Sequence, residues 1–387
     1  MAGVKEKYLQ KLISQRLCNS TDPLVGFLDA DLQWSRESDK TEILSQVVNS
    51  LGVSAIIYSI PREPYKSMIK YLASYEEKDF LKPEDTETRT FLHDIPIAQN
   101  LNVGELTQKL KKRKGLVLKD GSVIAQGAIG VEQAFVTFSS ICFSLFVKFM
   151  CDFYYHKKNL MKMEGEVEEI AKNAIKCYED HLLPFDKMPQ SPYPFEKEDD
   201  AIAAIIEAGS LTVESGLVDS FFGNISCLFE NTIYISQTGS SLDELEGYID
   251  PCPIDNSKTN AITASSEFST HRAIYLKKKF NAILHGHPKF SVIYSMLCDK
   301  INCPNRGKCH ISCSDRRFMK DVPIVTGEVG RGKNTLLQTV PEYISGRGVI
   351  VFGHGVFTAG GSGFYEIFRN LLEIEKEALW AYKDLVF

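Results

Sequence analysis

The feature that most constrains this chain is a pattern that recurs between its two halves. Shifted by 227 residues, Ser54-Ala55-Ile56-Ile57-Tyr58-Ser59-Ile60-Pro61 falls on Asn281-Ala282-Ile283-Leu284-His285-Gly286-His287-Pro288. The same shift lays Phe91-Leu92-His93-Asp94-Ile95-Pro96-Ile97 on Phe318-Met319-Lys320-Asp321-Val322-Pro323-Ile324. After a seven-residue change of offset, Leu116–Gly121 matches Ile350–Gly355, and Glu132 falls on Glu366. Few columns are identical, yet apolar pattern and punctuating prolines and glycines agree across three blocks. The chain reads as two copies of one unit, the first a pseudo-repeat of the second.

Each copy alternates strands with helices, the signature of an α/β fold. Residues 24–29 and 53–60 read as buried strands, with a helix from Thr41 to Leu51 between them. A helix follows from about Pro64, then strands near Thr90–Ile95 and Gly115–Leu118. A long apolar helix runs from near Val131 to near Tyr155. An amphipathic helix, Leu160–Leu183, leads into a stretch with Pro184, Pro189, Pro192 and Pro194, which reads as a linker. The expected organisation is therefore a first α/β domain over 1–158, helix and linker over 159–197, and a second domain over 198–387.

With 387 residues, 24% of them charged, the chain suits two ordinary globular domains. A net charge of −6 offers no basic field for nucleic acid. The apolar run Ala134–Met150 is short for a bilayer and broken by Ser139, Ser140, Ser144 and Lys148, so it reads as a core helix. The start leads into a helix-like Tyr8–Leu17 without a signal-peptide core, and the ten cysteines lack the density of a secreted scaffold. A cytoplasmic protein with reduced thiols is expected.

Chemistry concentrates in the second copy. Ala282–Pro288 is an apolar strand ending in His-x-His, and strand alternation sends His285 and His287 to one side. Val349–Phe352 is a second buried strand, ending in Gly353-His354-Gly355. Three imidazoles at two strand ends make a donor set that leaves zinc an open position. Ser265-Ser266-Glu267 stands at a helix start, where serine and glutamate suit capping and where an anion is also favoured. The corresponding first-half positions, Lys40, Tyr58, Ile60 and Asp120, cannot assemble such a site.

These segments in this order resemble the class II aldolase/adducin family. Gly223-Asn224-Ile225-Ser226 and Thr238-Gly239 match its upstream elements, and the resemblance covers roughly residues 198–387. It implies an α/β/α fold around a mainly antiparallel sheet. It also implies a divalent ion, zinc foremost, on His285, His287 and His354, with Glu267 as acid–base group. Members that handle phosphorylated sugars hold the phosphate at positions matching Asn224, Thr238, Gly239, Ser265 and Ser266. Relatives assemble as tetramers, so a homodimer of this tandem chain could imitate one. The family's catalytic tyrosine has no assignable counterpart here, and Ile-Ser-Gln precedes Thr238 where many relatives carry proline.

The expected reaction is carbon–carbon cleavage or formation on a small hydroxycarbonyl compound through a metal-stabilised enediolate. Epimerisation, dehydration and decarboxylation use the same class of intermediate. A non-enzymatic, adducin-like scaffold is the alternative from another class. Two further motifs stand apart. Cys298, Cys303, Cys309 and Cys313, with His310 among them, form a candidate second zinc site or iron–sulfur cluster. Gly327–Asn334 imitates a phosphate-binding loop, but Asn334 stands where a magnesium-binding hydroxyl is needed, so it reads as the lead-in to a helix from Thr335.

Overall fold

Both halves build a sheet flanked by helices, as the alternating pattern predicts. The computed structural model describes residues 3–387 apart from 220, 258, 259, 301 and 330–333. The chain divides into two compact units, Met1–Tyr178 and Glu179–Phe387. The first contains α1 (Val4–Ser14), β1 (Leu24–Leu28), β2 (Leu32–Trp34), α2 (Thr41–Leu51), β3 (Ala55–Ser59), α3 (Tyr65–Tyr75), β4 (Phe80–Leu81), β5 (Ile95–Ala98), α4 (Val103–Lys112), β6 (Gly115–Leu118), β7 (Val123–Gly127) and α5 (Val131–Lys157). Helix α6 (Val167–Leu182) crosses the division. The second contains α7 (Glu198–Glu214), β8 (Asn224–Phe229), β9 (Thr232–Ser236), β10 (Ile249–Pro253), α8 (Phe268–Lys277), β11 (Ala282–Gly286), α9 (Lys289–Met296), β12 (Arg317–Met319), β13 (Val322–Val325), α10 (Leu336–Tyr343), β14 (Val349–Val351), β15 (Gly355–Gly360) and α11 (Phe364–Val386).

The sheet orders are β2-β1-β3-β7-β6-β5-β4 and β10-β9-β8-β11-β15-β14-β13-β12. Apart from β10 they are the same order. Each sheet is antiparallel except for one parallel pair, β5 with β6 and β13 with β14. Registers agree too: Tyr58 lies between Leu24 and Ile124, as His285 lies between Asn224 and Phe357. The central strands β3 and β11 are buried at every residue, which is why they read as unbroken apolar runs. Ile56, Leu116 and Ile124 anchor one core; Ile283, Val349 and Phe357 anchor the other.

Pairing corrects the repeat by one residue. Gly127 and Gly360, which pair with Ala55 and Ala282, are 233 residues apart, so the offset changes by six rather than seven. Gly121, not Asp120, therefore matches His354, Ser122 matches Gly355, and Glu132 matches Tyr365. Thr90–Ile95 is not a strand: Thr88–Leu92 forms a wide helical turn on Asp85, whose carboxylate accepts from the Thr88 amide and hydroxyl. The strand begins at Ile95. Helix α6 starts at Val167 rather than Leu160, just past Gly165 with φ +78°.

Among the described residues, α5 alone is long and apolar enough to cross a bilayer. It is a core helix, burying Phe135, Phe138, Phe146, Phe149 and Phe153.

Candidate metal centre

His285 ends the apolar run of β11, His287 follows immediately, and Pro288 opens α9. His354 sits in the turn between β14 and β15. Because β11 and β15 are neighbours, the two histidine-bearing ends meet. The ring centroids of His285, His287 and His354 are 4.9, 5.0 and 4.9 Å apart, and their ligand atoms all lie within 4.8 Å of one another. All three are buried.

The glycines around them are required by space. A Cβ on Gly355 would stand 2.3 Å from the Gly286 carbonyl and 2.9 Å from Cε1 of His285. Gly223, at φ +92°, lets the chain before Asn224 pass against the His285 carbonyl. Two aromatic rings wall the site: Phe357 stacks on His285 with centroids 3.9 Å apart, and Phe222 on His287 at 5.7 Å.

The donor chemistry fits a divalent ion. Nδ1 of His285 faces the Val356 carbonyl at 3.0 Å; only an N–H can donate there, so the neutral ring keeps its lone pair on Nε2. Nε2 of His285 and Nε2 of His287 approach to 3.1 Å. Nitrogens on a tetrahedral zinc, with bonds of about 2.0–2.1 Å, stand about 3.3 Å apart. Burial lowers the pKa of His285, partly offset by the Glu267 carboxylate. Burial, then His285, His354 and the Lys289 ammonium, hold His287 well below the usual imidazole range. Neutral imidazoles are the ligating form.

Glu267 occupies the N-cap position of α8, but its side chain does not cap the helix. Its carboxylate instead accepts from Asn224 Nδ2 at 2.9 Å and lies 3.7 Å from His285 Nε2 and 3.6 Å from His354 Nε2. The capping expectation fails because buried imidazoles and an amide compete for the same oxygens. Ser265 takes over locally, its hydroxyl accepting from the Glu267 amide at 3.3 Å.

The family whose description is class II aldolase and adducin N-terminal domain matches at residues 203–382. Residues 203–382 are a class II aldolase/adducin domain. Among solved structures, L-fuculose-1-phosphate aldolase of Thermus thermophilus is similar at 20% identity and TM-score 0.37, covering 47% of this chain and 93% of that one. YgbL of Klebsiella pneumoniae, described as a putative aldolase/epimerase/decarboxylase, is similar at 22% identity and TM-score 0.38, with coverage of 49% and 91%. The N-terminal class II aldolase domain of a conserved Thermoplasma acidophilum protein is similar at 14% and TM-score 0.35, with coverage of 50% and 98%. No curated protein matches the sequence.

Within the aldolase domain the other motif residues divide. Asn224 and Ser265 are buried beside Glu267. Thr238, Gly239 and Ser266 are exposed. A bridge between Gln237 and Ala264 and a bond from the Thr238 amide to the Thr263 carbonyl bring the two segments side by side.

Three features escaped the sequence reading. Lys289 and Asp219 form a mostly buried pair at 3.7 Å, close to His287. Behind the site, Ser226 Oγ bonds both His271 Nδ1, at 2.7 Å, and Tyr275 Oη, at 2.8 Å. Glu375 on α11 accepts from the amides of Phe290 and Ser291 and from the Ser291 hydroxyl, each at 2.7 Å, pinning the start of α9. Ser295, further along α9, accepts from the Gly353 amide at 2.8 Å. Helix α9 thus ties His287 to the turn that carries His354. A lone glutamate among the apolar positions of α11 was the available signal. Of the glycine-rich segment, residues 330–333 lie outside the described residues; Thr335 stands at the N-cap of α10, as expected.

Proposed function

We propose that the second unit is a metal-dependent lyase of the class II aldolase type, cleaving or forming a carbon–carbon bond of a small hydroxycarbonyl compound, a sugar phosphate included. One observation carries this reading: three buried imidazoles converge, with the Glu267 carboxylate within 4 Å of two of them. His285, His287 and His354 would hold the ion, zinc being the natural choice for three imidazoles. Such an ion supplies Lewis-acid stabilisation of negative charge developing on a substrate oxygen.

Glu267 would move the proton. Asn224 holds one carboxylate oxygen by a 2.9 Å bond and so orients the group toward the histidines. Phe222 and Phe357 cover one imidazole face each, of His287 and His285. Asn224, Thr238, Gly239, Ser265 and Ser266 would bind the substrate's phosphate or hydroxyl groups, through amide, hydroxyl and backbone donors. The first unit would serve structure or assembly, with two tandem chains imitating a four-unit oligomer in the cytoplasm. Epimerase, dehydratase or decarboxylase activity on the same residues is distinguished by products.

Elemental analysis of the purified chain, joined to a screen of sugar phosphates and hydroxy-keto acids, tests the proposal. Stoichiometric zinc-type metal and turnover that Glu267→Gln abolishes support it. Protein without an ion at the histidines is instead a scaffold.

A further inference from the structure

Among the described residues only His285, His287 and His354 gather at metal-ligand distance. Cys298, Cys303, Cys309 and Cys313, in the loop after α9, form no second ligand group. A built difference between the units lies elsewhere, between the second strand of each and the helix that follows. In the first unit residues 35–40 run directly from β2 to α2. In the second, residues 237–267 make an excursion from β9 to α8 that contains β10, the strand without a counterpart. Thr238-Gly239 stand at its start and Ser265-Ser266 at its end. Backbone contacts close its neck: Gln237 bridges Ala264, the Thr238 amide donates to the Thr263 carbonyl at 2.9 Å, and the Ser265 amide donates to the Ser236 carbonyl at 3.0 Å.

One carboxylate grips both sides of that neck. Asp250, on β10 opposite Ile235, is buried. Its Oδ1 accepts from Gln237 Nε2 at 2.8 Å and its Oδ2 from the Thr263 hydroxyl at 2.7 Å. The Gln237 backbone is held too, its amide by the Tyr248 carbonyl at 2.9 Å and its carbonyl by the Ser240 hydroxyl at 2.7 Å. A buried carboxylate deprived of its donors is costly, so Asp250 sets where Gln237 and Thr263 can stand. Just beyond the neck, the Thr238 and Ser266 hydroxyls and the Gly239 amide are exposed and bond to no other described residue.

We propose that Asp250 is a positioning residue for the phosphate group of the substrate. It acts through Gln237 and Thr263, fixing the spacing of Thr238-Gly239 from Ser265-Ser266. The inference rests on the reading of those positions given above and narrows it to a phosphorylated substrate. A phosphate presents acceptor oxygens in fixed directions, so neutral hydroxyl and amide donors hold it well only when their spacing is set in advance. Asp250 itself touches no ligand. The short 35–40 connection of the first unit has no strand to carry such a clamp.

The test titrates inorganic phosphate calorimetrically into the full chain, before and after chelation, so that phosphate on a histidine-bound ion is counted apart. Phosphate should bind in both cases. Asp250→Ala should weaken that binding by about tenfold or more, the effect of losing two hydrogen bonds. Asp250→Asn should recover most of it, because its carbonyl oxygen accepts from Gln237 and its amide donates to the Thr263 hydroxyl, which turns to accept. Metal content and far-ultraviolet circular dichroism should stay constant through the series, so that a shift confined to phosphate affinity marks positioning rather than folding. Should Asp250→Ala not fold, Thr263→Val, at an exposed residue, should weaken phosphate about threefold. Unchanged affinity in the variant that folds, an Asn variant as weak as the Ala variant, or phosphate bound only before chelation would overturn the proposal. So would a wild-type chain that binds no phosphate. Because phosphate binding after chelation needs no ion, failure here is distinguishable from failure of the lyase reading, which metal content and Glu267→Gln decide.

Discussion

The two units place different chemistry on the same strand ends. At the position of His285 the first unit has Tyr58, flanked in identical register and buried. Its hydroxyl shares a 3.1 Å hydrogen bond with Ser122 Oγ. Ser122 matches Gly355, where the second unit has no room for a side chain because the imidazoles press in. At the Glu267 position, the N-cap of the following helix, stands Lys40, its ammonium 6.0 Å from the Tyr58 ring. Leu24 replaces Asn224 and Gly121 replaces His354. One topology thus holds either a polar, ligand-converging centre or a plugged strand end. The choice lies in a few side chains, not in the sheet.

The comparison breaks most sharply at the histidines. His285→Ala with His287→Ala should eliminate bound metal and activity, a fall in affinity beyond the roughly 10–100-fold seen when only an outer partner of a ligand is removed. Tyr58→Ala should leave elemental analysis unchanged. Retention of metal by the histidine variant would end the contrast between units.

Next in size, Glu267→Gln should lower kcat by roughly 10²–10⁴ while the ion stays, since general acid–base catalysis contributes about that much. Loss of the ion on metal analysis would make Glu267 a ligand instead. Lys40→Gln should change neither.

Glu375→Gln should lower unfolding free energy by about 1–3 kcal/mol for each donor left unpaired, and weaken metal binding, because α9 links two histidine segments. The first unit offers the contrast: Cys142 stands at the matching place on α5, and α3 is capped locally by Glu63, which accepts from Ser67. Urea titration with metal-binding isotherms measures both effects.

Gly355→Ala should cost about 1–3 kcal/mol by overpacking and separate the imidazoles, read as weaker metal binding. Tyr58→Phe, the smallest change, should cost about 0.5–1.5 kcal/mol in urea titration with metal content intact.

Much of this was legible locally. Apolar runs bounded by histidine or glycine located β3, β11 and β14, and helical periodicity placed α2 at its observed limits. The reading passed over β7 and α4. It also misaligned the repeat, because Gly121 and Gly355 look equivalent when only glycines are compared. Backbone pairing from β3 and β11 shows instead that Gly121 occupies the histidine's place.

From sequence alone came the α/β class, the doubled pattern and three candidate histidines, which follow from periodicity and from which residue types bind metal. The part given to Glu267 came only as what the family resemblance implies. Only the tertiary structure decided that Glu267 turns away from its helix toward Asn224 and the imidazoles, and that Glu375 braces α9 from 85 residues away. Such contacts form between segments that no local pattern connects, and buried polar groups must find their partners wherever the fold delivers them.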